Sequence, residues 1–239
     1  GNLGADLITS HGGNDIAIGD NGWMHDGAGN RLTPRELPQV AEVATLPAAN
    51  TYSPTNDTID VGEGGNLVIG GAGKDSITAG TGTNTILGDE GTAKFDADRN
   101  LLLAESTNPL VGDKDTFSLG SGTYRVIAGA GDDAIALGPG TNLVIGDAGR
   151  IRVNSDETTA FSDATTTIES LQPAVIGNDT VIVSEGFNVV IGGSGTDTVT
   201  VQSGGTATPR AKVLGDNGSL TIANTGTLLE IKSTDFDFG

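Results

Sequence analysis

The sequence predicts an all-β protein, a parallel β-roll or β-helix solenoid of about 18 residues per coil with hairpin-like insertions between its repeat copies. Three observations carry that expectation. Asp and Asn markers recur every nine residues, an apolar side chain follows each marker at one fixed place, and the composition is rich in Gly and Asp. Of 239 residues only 36% are hydrophobic and 4% aromatic, against 38 glycines, which is too little bulky apolar material for a conventional globular core. The acids comprise 22 Asp and 9 Glu and outnumber 12 bases to give a net charge of −19. Asp and Gly favour turns, where Glu favours helix. A chain this acidic repels phosphate, so nucleic-acid binding is not expected. Apolar runs such as Leu67–Ile69 and Leu101–Ala104 are far too short to span a bilayer, so no membrane insertion is expected either. The absence of Cys excludes disulfides and thiolate metal sites. The opening Gly1-Asn2-Leu3-Gly4 reads as the interior of something longer.

The repeat copies follow in order. Asp57, Asp115 and Asp179 open three of them, spaced by 58 and 64 residues, and Asp6 aligns with Asp75, so the N-terminus enters a further copy halfway. The chain therefore divides into a partial copy with an insertion (1–52), two full copies (53–111 and 112–175), and a last copy running into the start of the next (176–239). Within the second copy Asp57, Asn66, Asp75 and Asn84 fall nine apart; within the third, Asp115, Tyr124, Asp133 and Asn142 do so; Asp179, Asn188 and Asp197 continue the series. The residue two places after each marker is apolar throughout: Ile59, Val68, Ile77, Ile86, Phe117, Val126, Ile135, Val144, Val181, Val190 and Val199, with Ile8 and Ala17 in the partial copy. Nine residues thus split into a six-residue glycine-rich turn and a three-residue strand whose middle side chain points inward. Two such units make one coil, and stacked coils bury a thin column of Ile and Val that needs little total hydrophobicity. A disordered polar tract has no reason to keep this register.

The turns carry the chemistry. Stacked Asp carboxylates about one strand spacing apart repel unless a cation sits between them. Calcium takes six to eight oxygens, with carboxylates and carbonyls preferred, and glycine lets a turn fold its carbonyls toward one point. The turns VIGGAGKDSI (68–77), VIAGAGDDAI (126–135) and VIGGSGTDTV (190–199) resemble the GGxGxDxUx nonapeptide of the repeats-in-toxin (RTX, haemolysin-type) calcium-binding repeat family, as found in giant secreted, adhesin-like proteins. The resemblance covers residues 1–22, 53–91, 112–149 and 176–218. It implies Ca2+ between the turns of successive coils, held by Asp side chains and glycine-rich backbone. Matched onto this chain, it points to Asp6, Asp57, Asp75, Asp115, Asp133, Asp179 and Asp197, with Gly71, Gly73, Gly129, Gly131, Gly193 and Gly195 in the turns. It also implies export unfolded from a Gram-negative cell and folding on external calcium.

Odd markers are Asp, while even ones are Asn or Tyr (66, 84, 124, 142 and 188). Odd and even turns fall on opposite edges, so one edge is expected to bind metal and the other to carry a neutral hydrogen-bonded Asn ladder. That departs from family members with calcium on both edges. Gly-Asp-x-Gly turns at 19–22, 88–91, 146–149 and 215–218 return to the Asp edge, so Asp20, Asp89, Asp147 and Asp216 are expected to complete or extend sites made by Asp75, Asp133 and Asp197.

The remaining stretches, about 23–52, 92–111, 150–175 and 219–233, hold more than half of the bases; RIRV (150–153) and SLTI (219–222) alternate like strands. They read as hairpin-like protrusions that cover solenoid edges and join coils, with 204–212 as a further local insertion. Asp96-Ala97-Asp98-Arg99-Asn100 mimics the start of an EF-hand loop, but Leu101 stands where its glycine belongs and Thr107 where its Glu belongs. Gly62–Gly65 lacks the Lys-Ser/Thr and helix of a phosphate loop, and His11 and His25 follow no pattern. No catalytic arrangement emerges. The expected function is a non-catalytic, calcium-binding structural segment (shaft, stalk or fibre) of a secreted bacterial surface protein. Its partners are calcium and neighbouring copies of itself or other surface chains. A glycan- or ice-binding module, or an accessory region of a secreted enzyme, are the alternatives.

Overall fold

A computed structural model of the chain describes residues 4–32, 40–46, 55–154, 165–171, 177–203, 210–223 and 225–233. The first three residues, most of the expected insertion at 204–212, and the start of a next copy after Ser233 lie outside the described residues. Among the described residues there are strands and no helix. The partial copy contributes β1 (Leu7–Thr9) and β2 (Ile16–Ile18), then the hairpin strands β3 (Gly22–His25) and β4 (Glu42–Thr45). The second copy runs β5 (Thr58–Asp60), β6 (Leu67–Ile69), β7 (Ser76–Ala79), β8 (Gly82–Leu87) and the hairpin β9 (Gly91–Phe95) and β10 (Leu101–Ser106). The third runs β11 (Thr116–Leu119), β12 (Gly122–Ile127), β13 (Ala134–Leu137), β14 (Gly140–Ile145), then β15 (Gly149–Asn154) and β16 (Thr165–Ser170). The fourth runs β17 (Thr180–Val183), β18 (Gly186–Ile191), β19 (Thr198–Val201), β20 (Arg210–Leu214), then β21 (Gly218–Ala223) and β22 (Leu228–Ser233).

These strands form three stacked sheets. Sheet A takes β1-β5-β7-β11-β13-β17-β19 and sheet B takes β2-β6-β8-β12-β14-β18-β20. Both are parallel, as a solenoid requires, with the inward residues in register: Ile59↔Ile77, Phe117↔Ile135 and Val181↔Val199 in A, Val68↔Ile86, Val126↔Val144 and Val144↔Val190 in B. Within a copy the paired residues are 18 apart, as Thr116↔Ala134 and Gly122↔Gly140 illustrate. The inward column forms one core between A and B, with Ile59, Val68, Ile77, Val126, Val144, Val181 and Val190 all buried.

The insertions do more than the sequence suggests. They are hairpins, but they cover a face of the solenoid instead of its edges. All four join into one continuous antiparallel sheet C, ordered β22-β21-β16-β15-β10-β9-β4-β3. Its residues Val43, Ala93, Ala104, Ile151, Ile168 and Leu220 pack on Leu67, Ile69, Leu87, Ile127, Ile145 and Ile191 of sheet B to make a second core. Sheet B is therefore buried on both faces, which is why its strands read as near-continuous apolar runs such as LVI and VVI. Sheet A faces solvent on one side and alternates, as in Ser76-Ile77-Thr78-Ala79. The geometry closes because each full copy adds two strands to every sheet. At about 4.8 Å per strand, all three layers advance by roughly 10 Å per copy and stay aligned.

The Asp-Ala-Asp-Arg-Asn stretch sits at a hairpin tip. Asp96 Oδ1 accepts the N–H groups of Asp98 (2.9 Å) and Asn100 (2.8 Å), and Oδ2 accepts the Asn100 amide (2.9 Å). Asp26 repeats the pattern with Ala28 and Asn30. Each carboxylate is spent on turn capping, in the manner of an Asx-turn. Arg99 takes φ 64° where Gly29 takes φ 83° in the sister turn.

Candidate metal edge

Every odd marker sits at the turn that leads into a sheet A strand, and the pairing of those strands stacks the markers in a row. Each carboxylate caps the backbone of the marker one coil earlier. The N–H of Asp6 donates to Asp57 Oδ1 (2.7 Å), Asp57 to Asp75 (2.7 Å), Asp75 to Asp115 (2.7 Å), Asp115 to Asp133 (2.7 Å), Asp133 to Asp179 (2.8 Å) and Asp179 to Asp197 (2.9 Å). One oxygen per carboxylate is thereby used. The other, Oδ2, is buried without a hydrogen-bond partner in Asp57, Asp75, Asp115, Asp133, Asp179 and Asp197.

Three of the four Gly-Asp-x-Gly aspartates join the same edge by reaching forward into the next coil. Asp20 Oδ2 accepts the N–H of Ala72 (2.8 Å), Asp89 Oδ2 that of Ala130 (2.5 Å), and Asp147 Oδ2 that of Ser194. The glycine before each of these donors has positive φ: Gly71 at 111°, Gly129 at 116° and Gly193 at 118°. A Cβ on Gly129 would lie 2.1 Å from Asp89 Oδ2, so only glycine lets the turn close over the carboxylate. Gly73, Gly131 and Gly195 also have positive φ, at 131°, 134° and 132°. Asp89 Oδ1 and Asp147 Oδ1 are again buried and unpartnered. The forward reach places Asp89 near Asp115 and Asp133 as well as Asp75, and Asp147 near Asp133, Asp179 and Asp197. Asp216 stands beside Asp197 on the last described coil.

Burial without compensation pushes these carboxyls up. Desolvation raises Asp75, Asp133 and Asp147 to about 7, Asp179 to about 8 and Asp115 to about 10, with neighbouring carboxylates adding to the rise. Burial also raises Asp57 and Asp197, and lifts Asp89 well above the ordinary range. Buried anions of this kind must be protonated or paired with a cation. Among the described residues no lysine or arginine ion pair reaches this inner row; Lys74–Asp113 pairs on exposed side chains outside it, and Lys114 only partly offsets the rise at Asp133. Nor do any three acidic or imidazole side chains converge on one point among the described residues. A metal held here would therefore draw on backbone oxygens beside the carboxylates, a mixed donor set that suits calcium and not zinc.

The opposite edge is neutral in its centre. Asn66, Asn84, Asn142 and Asn188 are buried. The Asn66 N–H and side-chain amide both donate to Asn84 Oδ1 (3.1 and 3.0 Å), and the Asn142 amide donates to Asn188 Oδ1 (2.8 Å). The ladder breaks at Tyr124, which turns inward and donates its hydroxyl to the carbonyl of Gly80. One acid escaped the sequence reading. Asp15 occupies the even-marker position of the first coil, where its N–H donates to Asn66 Oδ1 (2.9 Å) and its carboxylate accepts the Ser10 hydroxyl (2.6 Å). Its spacing of nine from Asp6 was the available signal.

A solenoid with a row of buried carboxylates along one glycine-turn edge and a mainly Asn ladder along the other is a parallel β-roll of the cation-binding kind. The chain carries RTX calcium-binding nonapeptide repeats, four copies of which match within residues 53–86, 120–150 and 174–205. RTX nonapeptide repeats bind Ca2+, and they are typical of extracellular secreted proteins. No curated protein and no solved structure matches the chain. Among the described residues no helix is long and apolar enough to cross a membrane.

Proposed function

We propose that the chain is a non-catalytic structural segment of a secreted, Gram-negative bacterial surface protein, a shaft, stalk or fibre that calcium folds and stiffens. One observation carries the reading: eight buried carboxylate oxygens without a partner lie along one edge of the roll. Asp57, Asp75, Asp115, Asp133, Asp179 and Asp197 are the primary ligand candidates, with Asp6 opening the row. Asp20, Asp89, Asp147 and Asp216 serve as cross-coil ligands, and the glycine turns at 71–73, 129–131 and 193–195 supply backbone. The repeating unit is a coil of about 18 residues, organised in copies bounded at 52, 111 and 175.

Bound calcium supplies the positive charge that this edge lacks. The chain's own groups do the rest. Oδ1 of each marker Asp orders the backbone of the coil before it, while Oδ2 is held toward the turn. The Gly-Asp-x-Gly carboxylates tie one copy to the next. Two cores between three sheets then make a laterally braced rod whose length scales with copy number. Without metal, adjacent carboxylates and the −19 charge oppose compaction, so circular dichroism in chelator should show loss of most β structure, restored by millimolar calcium. An unchanged β spectrum in chelator would sink this reading.

A further inference from the structure

Away from the Asp edge, Arg125 poses a separate problem. It lies on the sheet B face that packs against sheet C, in the column Ile16, Leu67, Thr85, Arg125, Leu143, Val189 and Lys212. Four of those seven positions are aliphatic, and Leu67, Leu143 and Val189 are part of the second core. A guanidinium replaces them here. Its Nε is buried with no hydrogen-bond partner, and among the described residues the side chain makes no ion pair. A half-buried guanidinium with an unpartnered Nε among aliphatic neighbours is costly, and such groups in native proteins call for an explanation.

Arg125 forms part of the wall of two cavities on the Asn-edge side, between the starts of the sheet B strands and the hairpin tips of sheet C. The larger, about 500 Å³, sets Asp15 and Asp98 against Arg99 and Arg125, so its charges balance. The smaller, about 320 Å³, is walled by Arg125 and Arg210, with no acid among the described residues of its lining. In a chain with 31 acids and 12 bases, the described lining of this cleft is unusual in carrying only positive charge. Lys212 extends it, seated 4.2 Å over the ring of Phe187 behind the cavity. The remaining polar lining is hydroxyl: Thr123 and Thr141 from the floor, Thr166 and Thr225 from the roof. The tip glycine, Gly226 at φ 79°, lies against Phe187 and closes one end.

Arginine matches the planar geometry of an oxyanion through parallel N–H donors, and threonine hydroxyls both donate and accept. A volume near 300 Å³ is at the small end of ligand pockets and suits one sugar-sized unit. We infer that this cleft binds an acidic sugar unit, its carboxylate or sulfate held by Arg125 and Arg210 and its hydroxyls by the four threonines. The site lies on the edge opposite the buried aspartates and does not rest on the calcium reading.

The test is a titration of the calcium-loaded chain, at low salt, with glucuronate, glucose 6-sulfate, glucose and inorganic sulfate, followed by amide NMR shifts. At least one acidic sugar should shift Thr123, Arg125 and Thr225; which of the two binds more tightly identifies carboxylate or sulfate as the anion. Glucose and inorganic sulfate should each bind about tenfold or more weakly, the loss expected when a charge-assisted bond or the hydroxyl contacts are missing. Arg125→Leu, which installs the side chain that Leu143 supplies one coil on, should lose that tenfold while melting no lower than the parent. Arg210→Ser, at the exposed rim, should weaken binding without touching the core. Shifts confined to the Asp edge, no shift with either acidic sugar, or full affinity in both variants would overturn the assignment. Inorganic sulfate binding as tightly as the sugars would overturn its sugar part.

Discussion

Replacing Asp133 by Asn separates the two roles that a buried carboxylate can play. Asn keeps an Oδ1 acceptor for the Asp115 N–H, now at 2.7 Å, but removes the charge from an oxygen that has no partner. In the metal-free roll burial raises the carboxyl from 3.8 to about 7. At pH 8, keeping it ionised or protonating it costs about 4 kcal/mol relative to the unfolded chain, as an upper figure. The neutral amide of Asp133→Asn avoids that cost, so the variant should be more stable than the parent in chelator. In calcium the sign reverses. A site with a dissociation constant near 0.1 mM contributes about 2.7 kcal/mol at roughly 10 mM metal, and a variant lacking the ligand forfeits up to that amount. Urea denaturation followed by circular dichroism, in EGTA and in calcium, reads both; where the parent is already unfolded in EGTA, the residual β signal replaces the midpoint. The curves should cross. A variant that is weaker in both conditions would reduce Asp133 to an ordinary hydrogen-bonded cap with no role in holding metal.

Two further outcomes follow from the same edge. Because Asp75, Asp115, Asp133, Asp147 and Asp179 all have folded values raised above the unfolded one, their stabilising contribution in the metal-free chain is fully present below about pH 4. It is lost as pH rises through about 7 and, for Asp115, about 10, so acidifying the chelated chain should restore β structure; a metal-free chain that unfolds on acidification would contradict this. The two-edge asymmetry is read by counting bound calcium: Asp75→Asn should lower the count, whereas Asn142→Ala should cost only a ladder hydrogen bond, about 1 kcal/mol, with the count intact. Equal calcium loss from both variants would place metal on the Asn edge too.

The features legible in the sequence are the ones set by short, strict periods. The nine-residue spacing put Ile59, Val126 and Val181 in one inward column and the odd aspartates in one row, because stacking coils repeats local geometry without a long-range choice. Sheet C was legible only as separate hairpins. Its assembly depends on β4 meeting β9, β10 meeting β15 and β16 meeting β21, pairings that no local pattern encodes. The clue was indirect: the residues flanking the inward position are mostly apolar in sheet B and mostly small or hydroxylic in sheet A, as in Leu67 and Ile69 against Thr116 and Ser118. Asp15 and the inward turn of Tyr124 were missed for a related reason. Marker identity shows which edge a residue occupies, but not whether its side chain extends along the ladder or folds into the core.

Amide hydrogen exchange, resolved by residue and run with and without calcium, tests the central claim most directly. The N–H groups of Asp57, Asp75, Asp115, Asp133 and Asp179, each bonded to the next coil's carboxylate, should exchange freely in chelator and become strongly protected together in calcium. Equal protection of those five amides in both conditions would contradict it.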